Sequence, residues 1–173
     1  IDSVRGQGTA ITLKLPLTLA IIDGLLVKIG DDYFVIPQAV VEECIELDSG
    51  DMVHAHGNAT VEVRGSLVPY VRLRDFFAIP GDRPEIEQVV IAEVGRQRLG
   101  LVIDEVIGEH QTVIKSMGQI FRQVEGISGA TILGDGTVAL IIDPVRMVQL
   151  VEREVRGTTE KTKRSSPANF SQN

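Results

Sequence analysis

Tryptophan is missing from this 173-residue chain, and aromatic side chains make up only 4% of it. A core must therefore come from Val, Ile and Leu, which are abundant; their β-branched members favour strands. A lone cysteine, Cys44, cannot form an internal disulfide and fits a reducing compartment. Clustered basic residues are also lacking. With a net charge of −7 there is no footprint for releasing phosphate counterions, which argues against nucleic acid. No apolar run reaches the ~18–20 residues a membrane span needs, and no signal peptide opens the sequence. Missing too are a GxSxG elbow, an HExxH helix and a phosphate-binding lysine loop. What these absences leave is a cytoplasmic, β-rich protein without enzymatic hardware of its own.

What is present reads as strands punctuated by turns. The apolar fraction is 43%, enough for a real core, and 17 Gly with 7 Pro imply many short elements. Runs 24–29 and 33–36 flank Gly30-Asp31-Asp32, a hairpin signal. Residues 39–47 predict a short helical turn followed by strand. In 60–77, Val61 and Val63 alternate with Glu62 and Arg64, Gly65-Ser66 turns the chain, and Leu67 to Val71 restart an apolar run. Pro69 lacks a donor, which predicts an edge strand or a bulge there. Leu73, Phe76 and Phe77 then have helical spacing. The segment 79–84, with two prolines and a glycine, predicts an internal linker. Beyond it, runs 88–94 and 99–104 bracket a hairpin turn, 106–114 is a strand broken by Gly108, and 130–133 with 138–142 surround Gly134-Asp135-Gly136. Two halves of one grammar follow, each near 60 residues by the usual size argument and so expected to share a core. Asp143-Pro144 opens the one firm helix, with Val148, Val151 and Val155 on one face and Gly157 as its stop. At the other end Ile11, Leu13 and Leu15 alternate as a strand without a partner of its own, which suggests a fragment cut from a longer protein.

Few residues carry chemistry. Gly6-Gln7-Gly8-Thr9 could let backbone donors approach a phosphate, but GxGT alone is weak and reads more readily as a turn. His54 and His56 share a strand face without further zinc ligands at a recognisable spacing. The neighbours Asp31-Asp32 and Asp104-Glu105 would point to opposite faces of a strand, so neither is an acid/base pair. Glu43 and Arg64 are charges set beside Val41 and Val63, the mixture of a protein-binding patch; on spacing alone a solvated face explains them better.

Larger motifs add a resemblance. The run GQGTAITLKLPLTLAIIDGLLVKIG resembles the junction between the ATP-binding and C-terminal regulatory domains in the family of the bacterial chemotaxis histidine kinase CheA. VRGSLVPYVRLRDFF and ISGATILGDGTVALIID resemble motifs of that regulatory domain, and the first is also similar to a segment of the coupling protein CheW. The resemblance implies a mainly β fold of two SH3-like five-stranded β-barrels, intertwined, with a C-terminal helix. It places the end of a GHKL-type ATP-binding domain at 1–21, the CheW-like regulatory domain at 22–156 and a disordered tail at 157–173. It implies a regulatory and scaffolding role at receptor arrays: binding CheW and chemoreceptor tips so that receptor state controls kinase autophosphorylation. Val41, Glu43 and Arg64 match the coupling protein's receptor-contact pattern, and Gly6, Gly8 and Thr9 match the last ATP-contacting box of the kinase domain. ATP and Mg²⁺ would serve the full-length parent, whereas the fragment would need no cofactor. A free-standing CheW-type adaptor and a nucleotide-binding protein using Gly6–Thr9 are the rival expectations.

Overall fold

The computed structural model describes residues 2–4, 8–10, 21–47, 52–55, 58–113 and 124–153. The expected strand at Ile11–Leu15, the polar segment from Ser116, the stop at Gly157 and the tail lie outside them. A short hairpin, β1 (Asp2–Val4) with β2 (Gly8–Ala10), pairs only with itself.

Hairpin β3 (Ile21–Ile29) and β4 (Asp32–Pro37) turns at Gly30, whose φ of +61° suits glycine. A 3-10 turn at Gln38–Val40 then feeds β5 (Val41–Leu47), as the sequence predicted. Next come β6 (Met52–Ala55), β7 (Asn58–Val63), β8 (Ser66–Arg72) and the one-turn helix α1 (Leu73–Phe76). Hairpin β9 (Glu87–Val94) and β10 (Gln97–Ile103) leads into β11 (Glu105–Val113). Hairpin β12 (Ile127–Ile132) and β13 (Val138–Ile142) leads into helix α2 over 144–153. Asp143 caps α2: its Oδ1 accepts from Arg146 N at 3.1 Å and its carbonyl from Met147 N at 3.0 Å.

The strands form a six-stranded sheet, β5-β9-β10-β8-β7-β6, and a five-stranded sheet, β11-β3-β4-β13-β12. The repeat read from the sequence is real, but the linker at 79–84 does not divide it. Strands β8 and β9, on either side of that linker, belong to the same sheet. The division is instead a reciprocal exchange. β5 leaves the β3–β4 hairpin and pairs with β9, while β11 leaves the β9–β10 hairpin and pairs with β3. Each sheet also has one parallel pair in the equivalent place, β10 with β8 and β4 with β13. The second sheet is closed: Thr112 Oγ1 on β11 and Thr131 Oγ1 on β12 share a buried hydrogen bond. In a flat sheet those strands would stand four spacings apart, about 19 Å.

Strand alternation distributes the apolar residues into three layers. Val61, Val63, Val68, Tyr70, Val89, Ile91 and Val102 fill the first barrel, with Leu47 from β5. Leu26, Val35, Leu133, Ala139 and Ile141 fill the second. Between the barrels lies the larger cluster, where Leu25, Val27, Phe34 and Ile36 meet Val90, Ala92, Leu99 and Leu101. Helices α1 and α2 close it with Leu73, Met147 and Val148. The expected shared core is this middle layer.

Pro69 is not on an edge. β8 lies between β7 and β10, but its register with β10 begins at Tyr70, so the residue without a donor falls just outside that ladder. Gly100, opposite Tyr70, is required by the same pairing: a Cβ there would sit 2.9 Å from Tyr70 Cβ and 3.0 Å from Val89 Cγ1.

One polar knot interrupts the middle layer. Arg74 of α1 is ion-paired with Asp104 and donates to the Pro80 carbonyl at 2.9 Å. Asp104, at the switch from β10 to β11, also accepts from Gly30 N at 2.7 Å. Both side chains are largely buried, 8% and 16% exposed, so removing one strands a charge. We expect Asp104→Ala to cost about 3–5 kcal/mol, read as a lower urea midpoint at unchanged m-value. Helix α1 ends with Ile79 N donating to Arg74 O at 2.9 Å and Ala78 N to Asp75 O at 3.2 Å. This places Ala78 at φ +53°, where glycine is favoured. Ala78→Gly should therefore stabilise the fold by about 0.5–1 kcal/mol, checked by thermal unfolding.

Candidate functional site

Strand β5 carries the site because it changes faces. Its register with β9 slips between Val41, opposite Ala92, and Glu43, opposite Ile91. Before the slip Val41 packs against the middle layer, and after it Ile45 and Leu47 face the first barrel's interior. β11 has the matching slip between Val106 and Gly108. The bulge thus turns Glu43 toward the first barrel, where its side chain is 18% exposed.

Closure of that barrel brings the β7–β8 turn to Glu43. Arg64 Nη2 donates to Glu43 Oε2 at 2.9 Å, although β5 and β7 are four strands apart in sheet order. Arg64 has φ +50° and Gly65 has φ +79°, the two left-handed residues of a tight hairpin turn. Glycine suits that geometry, whereas an arginine there is strained. The Arg64 side chain is 77% exposed despite its ion pair.

A third side chain completes the cluster. Arg98, at the start of β10, holds Glu42 through two hydrogen bonds, Nε to Oε2 at 2.7 Å and Nη2 to Oε1 at 3.0 Å. Its Nη2 also lies 3.6 Å from Glu43 Oε1. That distance is beyond a hydrogen bond, and Glu43 Oε1 is buried with no hydrogen-bond partner among the described residues. The Glu42-Glu43 pair is thus gripped by two guanidinium groups from separate hairpins.

Of the residues singled out from the sequence, Glu43 and Arg64 come together directly. Val41 is two residues away but turned to the other layer, half-buried against the core. Arg98 was missed, and no local pattern could have found it: it lies 56 residues from Glu42. Of the nucleotide-box residues, Gly8 and Thr9 lie in β2, Gly8 exposed at φ +107°, while Gly6 is outside the described residues. His54 lies in β6 and His56 is not described. Among the described residues no group of three His, Cys, Asp or Glu could hold a metal ion. Asp104 is committed to Arg74, so it forms no acid/base pair with Glu105. Cys44 is on the exposed face of β5, and partial burial pushes its thiol above the usual range, the opposite of a nucleophile's activation. Among the described residues no helix is long and apolar enough to cross a membrane.

This arrangement binds rather than catalyses. An exposed, strained guanidinium beside a partly buried carboxylate, on a rigid barrel, offers directional charge to another protein.

Known proteins agree with the fold. The chain is 43% identical over 157 residues to the chemotaxis protein CheA of Klebsiella aerogenes, covering 89% of this chain and 24% of that protein. It is 40% identical over 145 residues to CheA of Bacillus subtilis, covering 83% of this chain and 22% of the relative. A third relative, the sensor histidine kinase CheAY of Helicobacter pylori, is 35% identical over 179 residues, covering 98% of this chain and 22% of the relative. The chain thus spans about a quarter of the length of the curated relatives it matches. Among solved structures, the scaffolding protein TtCheW from Thermoanaerobacter tengcongensis superposes with a TM-score of 0.62 at 16% identity, covering 70% of this chain and 88% of that one, a likeness of fold. Residues 23–152 match the family described as the CheW-like domain, and with three quarters of its length inside that match the chain belongs to the CheW-like domain family.

Proposed function

We propose that this chain is the regulatory and scaffolding module of a chemotaxis histidine kinase, docking the kinase to the coupling protein CheW and to chemoreceptor tips. The observation that carries the reading is Arg64: a strained, 77% exposed arginine held against Glu43. Backbone strain persists where surroundings over-determine it, and functional contacts are where such strain concentrates. Glu43 with its unfilled buried oxygen and Arg64 with its exposed guanidinium form the receptor-facing pair; Val41 supports them from the core side. The module acts by geometry, so it performs no phosphotransfer. In the parent kinase, ATP and Mg²⁺ belong to the preceding domain, of which Gly6, Gly8 and Thr9 are the last box. The module works in the cytoplasm, where the receptor tips are.

A free-standing CheW-type adaptor is the second reading, favoured by the likeness to TtCheW. The identities of 35–43% to kinase relatives, against 16% to that scaffold, support the kinase module. A nucleotide-binding role is tested directly: calorimetry with ATP and Mg²⁺ should show no heat of binding.

Titration of purified CheW should give saturable binding, and its absence at several hundred micromolar would overturn the scaffold reading. Arg64→Gly separates contact from folding, because glycine occupies the left-handed turn without strain. The variant should melt at the same temperature or higher and bind a chemoreceptor tip fragment about tenfold more weakly, the loss expected of one charge-assisted contact. Unaltered binding would remove Arg64 from the interface.

A further inference from the structure

On the second barrel, away from Arg64, a cavity of about 330 Å³ opens where β3 begins and β4 ends. Asp23, Gly24, Gln38, Glu109, His110 and Gln111 line it. The pairing explains how they meet. Gly24 lies between Pro37 of β4 and His110 of β11, and Asp23 is opposite Gln111. Gln38 arrives on the 3-10 turn by which the chain crosses from one barrel to the other.

The lining has acceptors to spare and few donors. Asp23 and Glu109 supply carboxylates, and no lysine or arginine is among the six residues. Gln111 Nε2 is spent on Asp23 Oδ1 at 2.9 Å. Gln38 Oε1 is buried and has no hydrogen-bond partner among the described residues. A buried oxygen left unpaired costs about 1–3 kcal/mol, so a ligand able to donate to it recovers that cost on binding. A bare metal ion is a poor candidate, since no group of three ligating residues converges among the described residues. A single water does not fill the space either, which is several times the ~30 Å³ share of one water. The complementary group is a cation with several N–H donors in one plane, able to satisfy an amide oxygen and a carboxylate together.

We propose that this cavity is a guanidinium-binding site, with Glu109 and Gln38 Oε1 as its principal acceptors and Asp23 as a supporting charge. The guanidinium belongs either to a free small guanidine or to an arginine on a partner's surface. The site is independent of the Arg64 face and does not rest on the receptor-contact reading.

The test is NMR titration of the whole chain, following the His110 ring and the amides of Gly24 and Gln111. The probes are agmatine and an acetylated Gly-Arg-Gly amide; tetramethylammonium, which has no N–H donor, and sodium chloride at equal ionic strength are the controls. Saturating shifts with agmatine alone support the site and identify its ligand as a free guanidine. Saturation with the peptide as well supports it and identifies a partner's arginine. Glu109→Gln, an exposed change that leaves the fold intact, should weaken either probe about tenfold. Gln38→Ala should do the same if its amide spectrum remains folded. Lack of saturation with both probes, equal shifts with tetramethylammonium, or undiminished binding by Glu109→Gln would each overturn the proposal.

Discussion

The apolar layer between the barrels depends on one constraint: each hairpin gives its following strand to the other barrel. β5 continues from β4 but completes the sheet of β9, and β11 continues from β10 but completes the sheet of β3. The barrels therefore cannot separate without stripping a strand from each. This fixes the faces of β3, β4, β9 and β10 against one another and keeps Leu25, Val27, Val90 and Leu101 out of water. Burying these side chains stabilises a chain whose separate barrels would be too small to do so alone. The Arg74–Asp104 pair sits where the exchange occurs and ties the β3–β4 turn to α1.

The same exchange makes the binding face. A strand that leaves one barrel for another must turn its side chains from the middle layer to a new interior, and a bulge does this with one extra residue. In β5 the result is Glu43, a carboxylate pointed at the mouth of the first barrel and met there by Arg64 and Arg98. In β11 the equivalent slip falls at Gly108, before His110 lines the cavity of the second barrel. Two related irregularities thus place polar groups at two different ends of the molecule. Rigid barrels hold both, which suits a module that conveys position rather than chemistry.

Much of this was legible in the chain. Gly30, Gly65 and Gly136 mark hairpin turns because each takes a positive φ that other residues resist. The alternation of Val61 and Val63, the break at Gly108 and the Asp143-Pro144 cap all state local geometry, and local geometry is what residue order encodes. Glu43 and Arg64 were legible as unusual neighbours of apolar residues and, through their resemblance to the coupling-protein pattern, as a pair.

Composition and period determined that this protein is built of short strands, with turns at known places, an apolar interior and little catalytic equipment. Only the tertiary structure decided which strand joins which sheet. Pro69 looked like an edge residue because donor loss is a local fact, whereas the start of the β10 ladder at Tyr70 is a long-range one. The linker at 79–84 looked like a boundary because its prolines break strands, yet the exchange of β5 and β11 sets the real one elsewhere. Arg98 reaches Glu42, and Arg64 reaches Glu43, only after a barrel closes and brings distant edges within hydrogen-bond range. Closure joins residues 21 and 56 positions apart, and nothing in the order of neighbouring side chains records it.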